Sequence, residues 1–120
     1  MSNPVVLVVD DSKLSRMMIV SIIQAQFSDW NIIEASNGDE ALEVCSGKNI
    51  GLFIIDYNMP GMDGLALAAK LKENFPSVPM SLLTANIQKA TKVDANKIGI
   101  KFFPKPITQE RVESIFSLVA

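Results

Sequence analysis

The feature that most constrains the fold of this chain is a series of five short, mainly apolar segments. They occupy residues 5–9, 31–35, 52–55, 80–83 and 100–103. They are mainly apolar and do not alternate regularly with polar residues, which is typical of strands covered on both faces. Strands of this kind occur in parallel sheets that carry helices on both sides. The pattern therefore predicts a buried parallel sheet.

Segments of helical character separate and follow these strands. They span residues 13–27, 39–46, 65–75, 87–97 and 108–119. Capping and breaking residues mark their ends: Asp11 or Ser12 can cap the first, Gly64 precedes the third, and Pro76 and Pro79 follow it. We expect a three-layer α/β sandwich of five β-α units. If its parallel sheet has the strand order 2-1-3-4-5, the flavodoxin-like arrangement, the first and third strands are adjacent at its centre. One domain would span residues 1–120, with no effector domain.

Composition excludes several classes of protein. The 120 residues include no histidine and one cysteine, Cys45. They therefore cannot build a Ser-His-Asp triad, a Cys-His dyad, a histidine-ligated metal site or an internal disulfide. A net charge of −2 argues against nucleic-acid binding, and no apolar run approaches the roughly 18 residues that cross a membrane. We expect a cytoplasmic protein whose chemistry depends on carboxylates, lysines and hydroxyls.

Polar side chains follow the predicted strands at the points where the strands end. Asp10 and Asp11 follow the first strand, Asp56 the third, Thr84 the fourth, and Lys105 comes shortly after the fifth. The carboxyl ends of parallel strands meet at one edge of the sheet, where open α/β sheets bind ligands. With the first and third strands adjacent, the sequence predicts that three carboxylates, a hydroxyl and an ammonium converge there.

The charges at this edge favour a divalent cation. Three carboxylates repel one another, and Lys105 neutralises only one of the three negative charges. A divalent cation would bring the site to neutrality. Carboxylate oxygens without histidine or thiol ligands select Mg²⁺, with Mn²⁺ as a substitute. Because Mg²⁺ in proteins commonly also binds phosphate oxygens, the site is typical of phosphoryl chemistry.

Four motifs together resemble the receiver domain of two-component response regulators. They are VVDDS at residues 8–12, IDYNMPGMDG at 55–64, LTA at 83–85 and KP at 105–106. The resemblance covers essentially the whole chain. It implies that Asp56 is the phosphoacceptor, and that Asp10, Asp11 and Asp56 hold Mg²⁺ together with the backbone carbonyl of Asn58.

The resemblance also assigns the residues around the phosphoryl group. Thr84 would donate a hydrogen bond to a phosphoryl oxygen, Lys105 would pair with that group, and the Lys105–Pro106 peptide bond would be cis. Backbone N–H groups of Tyr57 and Ala85 could supply further donors. A side chain larger than that of Ala85 would crowd the phosphoryl group.

A switch would follow from the same resemblance. Thr84 would move toward the phosphoryl group, and Phe102 would swing into the space that it leaves. Phe102 stands where many relatives have tyrosine, so this chain lacks the hydroxyl. The surface that changes would be formed by residues 87–97, 100–103 and 108–119, and a downstream protein would bind it.

The phosphoryl donor must be another molecule because this chain has no histidine. We expect a histidine kinase or a phosphotransfer protein to dock on the first helix and the site loops. That helix is apolar on nearly all sides, which predicts burial on more than one face. Its methionines, Met17 and Met18, would give an adaptable contact surface.

The leading hypothesis is a stand-alone, chemotaxis-type (CheY-like) signalling switch that is not an enzyme, with a phosphorelay intermediate as the alternative. A Mg²⁺-dependent phosphohydrolase needs a general acid two residues after its nucleophile, where this chain has Asn58. A flavodoxin-type cofactor binder is disfavoured because Asp10 and Asp11 repel phosphate unless a metal intervenes. A pure interaction module is disfavoured because every expected site residue is present.

Overall fold

The computed structural model describes residues 3–86 and 99–119. The strands are β1 (Val5–Val9), β2 (Asn31–Ala35), β3 (Ile50–Asp56), β4 (Met80–Thr84) and β5 (Ile100–Pro104). The helices are α1 (Lys13–Gln26), α2 (Gly38–Val44), α3 (Gly64–Asn74) and α4 (Gln109–Phe116), and a 3₁₀ turn (Ser117–Val119) follows α4. The helix predicted at residues 87–97 lies outside the described residues. None of the helices described is long and apolar enough to cross a membrane.

The five strands form one parallel sheet of order β2-β1-β3-β4-β5, which confirms the predicted flavodoxin-like arrangement. The central strands are β1 and β3, with Val9 opposite Ile55. On the other side of β3, Asp56 lies opposite Leu83. The strands therefore end at nearly the same level, and the residues that follow them emerge at one edge of the sheet.

Two apolar cores, one on each face of the sheet, hold the layers together. Successive side chains of β1 alternate between them because a strand points its residues to opposite faces. Leu7 and Val9 pack with α2 and α3, whereas Val6 and Val8 pack with α1 and α4. All four side chains are at most 1% exposed. This burial on both faces explains why β1 is an uninterrupted apolar run.

The predicted boundaries differ from the observed ones mainly at strand ends. β3 is longer than the predicted strand at 52–55, because Ile50 pairs with Val5 before a register shift next to that pair. β4 includes Thr84, and β5 includes Pro104. Proline is tolerated in β5 because this is an edge strand. The predicted helix at 108–119 is an eight-residue helix completed by the 3₁₀ turn.

The start of α3 packs directly against the end of β3. Asp63 caps the helix by accepting a hydrogen bond from the Ala66 N–H at 2.8 Å. The Gly64 N–H donates to the Tyr57 carbonyl at 2.9 Å. A Cβ at Gly64 would overlap the backbone carbonyl of Asp56 and would lie 2.9 Å from the Tyr57 Cα. Glycine at this position therefore lets α3 support the strand end that carries Asp56.

Replacing Gly64 by alanine should destabilise the protein, although alanine is the better helix former. We expect Gly64→Ala to lower the free energy of unfolding by about 1–3 kcal/mol, because the new methyl group displaces backbone. Gly38→Ala is the matched control. Gly38 is also the first residue of a helix, but its Cβ would meet the flexible side chain of Met62. Urea unfolding of both variants provides the measurement, and equal stabilities would contradict this account of the packing.

Candidate metal centre

The backbone hydrogen bonds of the parallel sheet continue one residue past the ends of β1, β3 and β5. These bonds run from Asp10 N–H to Ala35 O at 3.1 Å, from Tyr57 N–H to Leu83 O at 2.8 Å and from Lys105 N–H to Thr84 O at 2.8 Å. Each bond ties the beginning of a loop to the adjacent strand. The site side chains therefore project from a rigid edge of the sheet.

The three predicted carboxylates lie together at this edge. Asp10, Asp11 and Asp56 each offer one oxygen, and these three oxygens lie within 4.8 Å of one another. Asp10 and Asp56 are buried, at 1% and 4% exposure, whereas Asp11 is exposed. The cluster therefore has a buried base and opens toward solvent beside Asp11.

Asp10 is held on both of its carboxylate oxygens. Its Oδ1 accepts a hydrogen bond from the Ser12 N–H at 2.9 Å, and its Oδ2 lies 3.5 Å from the Lys105 Nζ. Ser12 is also the N-cap of α1, because its Oγ accepts a hydrogen bond from the Ser15 N–H at 3.2 Å. The same short segment therefore orients a carboxylate and begins a helix.

The Lys105 ammonium lies between two of the carboxylates. Its Nζ is 2.9 Å from Asp56 Oδ1 and 3.5 Å from Asp10 Oδ2. The lysine side chain is 26% exposed, whereas both of its partners are buried. It follows the edge strand β5, and the Lys105–Pro106 peptide bond is cis. A single cation is thus shared between Asp10 and Asp56.

The pKa of Asp56 is raised even though the Lys105 ammonium contacts its carboxylate. Burial raises the pKa of Asp56 to about 6; the hydrogen bond from Lys105 opposes this rise, and the charges of Asp10 and Asp11 add to it. An isolated ion pair would instead lower the pKa of its carboxyl group. Burial also disfavours the charged form of Lys105, but Asp56 and Asp10 outweigh it and raise the pKa of the ammonium. Among the described residues, the contact with Lys105 therefore does not offset the burial of Asp56 and the charges of Asp10 and Asp11.

The donor set fits a magnesium ion. Octahedral Mg²⁺ with bonds of about 2.1 Å places its ligand oxygens roughly 3–4 Å apart, slightly closer than the 4.8 Å limit seen here. A small inward movement or one bridging water would complete the site. Within the described part of the chain, the Asp11 carboxylate makes no hydrogen bond or ion pair, so both of its oxygens are available. Asp56 retains Oδ2, because Lys105 contacts Oδ1.

The remaining predicted site residues lie around this cluster with different degrees of contact. Thr84 is buried, and its Oγ1 accepts a hydrogen bond from the Asn86 N–H at 3.1 Å. Ala85 lines the same cavity as Asp10 and Lys105. Asn58 is exposed, two residues beyond the phosphoacceptor candidate. Within residues 3–86 and 99–119, the Thr84 hydroxyl makes no hydrogen bond to the carboxylates.

One expected donor is already engaged. The Tyr57 N–H donates to the Leu83 carbonyl at 2.8 Å and so extends the pairing of β3 with β4. The prediction that this group faces a ligand is therefore wrong, because the parallel ladder continues one residue past Asp56. The Tyr57 side chain instead packs on Phe102, with ring centroids 5.7 Å apart.

Two concave surfaces adjoin the site along α1. One cavity of about 330 Å³ extends from Asp10 and Lys105 over Met18 to the loop after β5. A neighbouring groove of about 380 Å³ is formed by α1 alone and also includes Met18. The large apolar side chains on this surface are strongly exposed: Leu14 at 67%, Met17 at 56% and Met18 at 47%. We predicted that α1 is buried on more than one face. Among the described residues, the side of α1 that faces the sheet is buried, whereas its other apolar face is exposed.

Arg16, which contacts the main chain of Asp10, is not among the site residues predicted from the sequence. A signal was present. Arg16 is the fourth residue of α1, and a cation near a helix N-terminus opposes the helix dipole. Such a residue needs a compensating partner, and here it has two acceptors, the Asp10 carbonyl and Glu34.

Comparisons with known proteins agree on the nature of the chain. The model of the response regulator receiver domain family matches residues 6–117. The transcriptional regulatory protein SrrA of Staphylococcus aureus is 31% identical over 113 residues, which are 93% of this chain and 45% of SrrA. The chain thus spans less than half the length of the curated relatives that it matches.

Solved structures of similar chains have the same fold. Chemotaxis protein CheY4 of Vibrio cholerae is 25% identical with a TM-score of 0.87, and the match covers 98% of this chain and 99% of that one. TrrA of Thermotoga maritima, solved in complex with Mg²⁺-BeF, is 25% identical with a TM-score of 0.82 and equal coverage.

Removing the Asp56 charge should stabilise the metal-free protein at neutral and higher pH. Because the folded-state pKa of Asp56 is raised from 3.8 to about 6, its contribution is fully present below pH 3.8 and is lost as the pH rises through 6. We expect Asp56→Asn to add up to about 3 kcal/mol to the free energy of unfolding at pH 8 in EDTA, and almost nothing at pH 4.

Denaturant unfolding at both pH values measures this difference, with Asp29→Asn as the control because Asp29 is exposed and outside the cluster. A pH-independent effect of Asp56→Asn would contradict the raised pKa of Asp56.

Proposed function

The chain belongs to the response regulator receiver domain family, and on this premise we propose that it is a phosphorylation-dependent signalling switch in which Asp56 accepts the phosphoryl group. Receiver domains are signalling domains and not classical enzymes. The observation that carries the proposal is the cluster of Asp10, Asp11 and Asp56, with the Lys105 ammonium 2.9 Å from Asp56. The complex of the similar TrrA with Mg²⁺-BeF supports a magnesium-dependent site of this kind.

We assign the metal ligands as follows. Asp11 and Asp56 have carboxylate oxygens that no other described residue contacts, and they would bind Mg²⁺ directly. Asp10 would bind it directly or through water. The backbone carbonyl of Asn58 would complete the protein ligands. When bound, Mg²⁺ supplies positive charge to the phosphoryl oxygens during transfer.

The transfer is a displacement at phosphorus. A carboxylate oxygen of Asp56 forms a new O–P bond, and the bond between phosphorus and the donor atom breaks, with its electron pair leaving on the donor. Lys105 is placed to turn from Asp56 Oδ1 toward a phosphoryl oxygen, because its charge is needed where negative charge develops. In this way the chain promotes its own phosphorylation and, with water as the attacking group, its dephosphorylation.

Thr84 and Ala85 would respond to the new group. The Thr84 hydroxyl can donate a hydrogen bond to a phosphoryl oxygen while its oxygen still accepts the hydrogen bond from the Asn86 N–H, because a hydroxyl can donate and accept at the same time. The phosphoryl group adds up to two negative charges at this edge. Ala85 carries only a methyl group in the shared cavity, which leaves space for the phosphoryl oxygens.

The output would be a change on the face formed by β5 and α4. Phe102 of β5 packs on Tyr57, the residue that follows the phosphoacceptor. A movement of Thr84 would alter the space beside Phe102 and so reshape this edge of the sheet. We propose that a downstream protein binds this face, as in a chemotaxis-type regulator.

The donor would dock on the exposed face of α1, next to the site. The groove and cavity that share Met18 run from the exposed face of α1 to Asp10 and Lys105. This surface is mainly apolar, which suits a helix of a histidine kinase or phosphotransfer protein. A histidine on such a helix would then face Asp56.

Acetyl phosphate with Mg²⁺ should add one phosphoryl group to the protein. We expect intact mass spectrometry to detect a single, base-labile adduct that is absent in EDTA and absent in Asp56→Asn, because the nucleophile is lost. Asp29→Asn should be modified like the unchanged protein. Modification of Asp56→Asn to the same extent would contradict the assignment of Asp56.

The exposed face of α1 should matter for transfer from a protein but not from a small molecule. We expect Met17→Ser to slow phosphoryl transfer from a phosphorylated histidine phosphotransfer protein by about tenfold, because an apolar contact is lost. The rate with acetyl phosphate should stay unchanged. Ala69→Ser, on the exposed side of α3, serves as the control. Equal losses with both donors would contradict a docking role for this face.

A further inference from the structure

We propose that Arg16 is a positioning residue of the metal site, an inference that rests on the proposed function. Its guanidinium reaches back past the start of α1, where Nη1 donates to the main-chain carbonyl of Asp10 at 2.6 Å. Its Nε donates to Glu34 Oε1 at 3.2 Å. The Arg16 side chain is 15% exposed, so these contacts are made in a largely enclosed position.

The contact falls on the peptide unit that joins two of the metal ligands. The Asp10 carbonyl belongs to the peptide bond between Asp10 and Asp11, at the point where the chain leaves β1. The orientation of that peptide unit determines the directions in which both carboxylates project. A hydrogen bond to its carbonyl therefore restrains the relative positions of Asp10 and Asp11.

Other bonds fix the remaining parts of Asp10 but not this carbonyl. The Asp10 N–H is bonded to Ala35, and the carboxylate to Ser12 and Lys105. Among residues 3–86 and 99–119, Arg16 supplies the hydrogen bond that the Asp10 carbonyl accepts. Because Asp10 is 1% exposed, loss of Arg16 would leave a poorly solvated acceptor and a freer peptide unit.

Arg16 and Lys105 contact different kinds of oxygen at the site. Lys105 occupies oxygens of two carboxylates. Arg16 donates to a main-chain carbonyl near the site and so occupies none of the carboxylate oxygens that Mg²⁺ needs. It can therefore order the loop both before and after the metal binds.

Glu34 fixes the guanidinium from the other side. It lies on β2, and its side chain is 45% exposed, so the ion pair alone contributes little to stability. Its effect is to hold the planar guanidinium in the orientation that reaches Asp10. A lysine could not reproduce this geometry, because an ammonium lacks the two separated donors of a rigid plane.

The test is the affinity for Mg²⁺, measured by isothermal titration calorimetry on the full chain. We expect Arg16→Gln to raise the dissociation constant by about tenfold or more, the usual effect of losing a group that supports a metal ligand. Arg16→Lys, which keeps the charge, should raise it as well, and Glu34→Gln should raise it by a smaller factor. Lys13→Gln removes a positive charge from the same helix, and should leave it unchanged.

A second readout separates positioning from a general effect on folding. In the reaction with acetyl phosphate, Arg16→Gln should need more Mg²⁺ for half-maximal rate but should approach the unchanged protein's rate at saturating Mg²⁺. A lowered maximal rate with an unchanged Mg²⁺ requirement would overturn the proposal. If Arg16→Gln does not fold, Arg16→Lys and Glu34→Gln decide by the same comparison.

Mg²⁺ binding by the unchanged protein and by the Arg16 variants distinguishes an error in the role of Arg16 from an error in the proposed function. If the unchanged protein binds Mg²⁺ and the Arg16 variants bind it equally well, the positioning role is wrong and the proposed function stands. If the unchanged protein itself does not bind Mg²⁺, the metal-dependent function is wrong, and the role of Arg16 falls with it.

Discussion

The rest of the site depends on the contact of the Lys105 ammonium with two of the three clustered carboxylates. Lys105 contacts two of the acids, and the pKa of Asp56 nevertheless rises to about 6, because burial and the neighbouring charges outweigh the hydrogen bond from the lysine. A site in this condition is stabilised by further positive charge. In the proposed function, the condition that raises the pKa of Asp56 in the metal-free protein would favour binding of a divalent cation and, with it, of a phosphoryl group.

The fold produces this crowding through strand order. Because β1 and β3 are neighbours at the centre of the sheet, Asp10 and Asp56 emerge side by side, and β5 brings Lys105 across from the edge. Burial on both faces keeps the strands rigid, and Gly64 lets α3 pack against the end of β3. The packed sheet therefore holds the charged side chains at its edge at fixed distances from one another.

Much of this arrangement could be predicted from the sequence, since apolar runs and strand-end polar residues are local signals. They predicted a parallel sheet and, for the strand order 2-1-3-4-5, the convergence of Asp10, Asp11, Asp56 and Lys105 at one edge. Long-range contacts were not predictable in this way. The engagement of the Tyr57 N–H depends on how far the β3–β4 ladder continues, and the contact of Arg16 with the Asp10 carbonyl depends on how α1 lies over the loop.

The most direct measurement is a crystal structure of the protein grown with Mn²⁺ in place of Mg²⁺, with an anomalous difference map to locate the ion. The account predicts a single strong peak at bonding distance from carboxylate oxygens of Asp11 and Asp56, with Asp10 bound directly or through one water and Lys105 on the opposite side. An ion bound elsewhere, or one that contacts a single carboxylate while Asp56 stays paired only with Lys105, would contradict it.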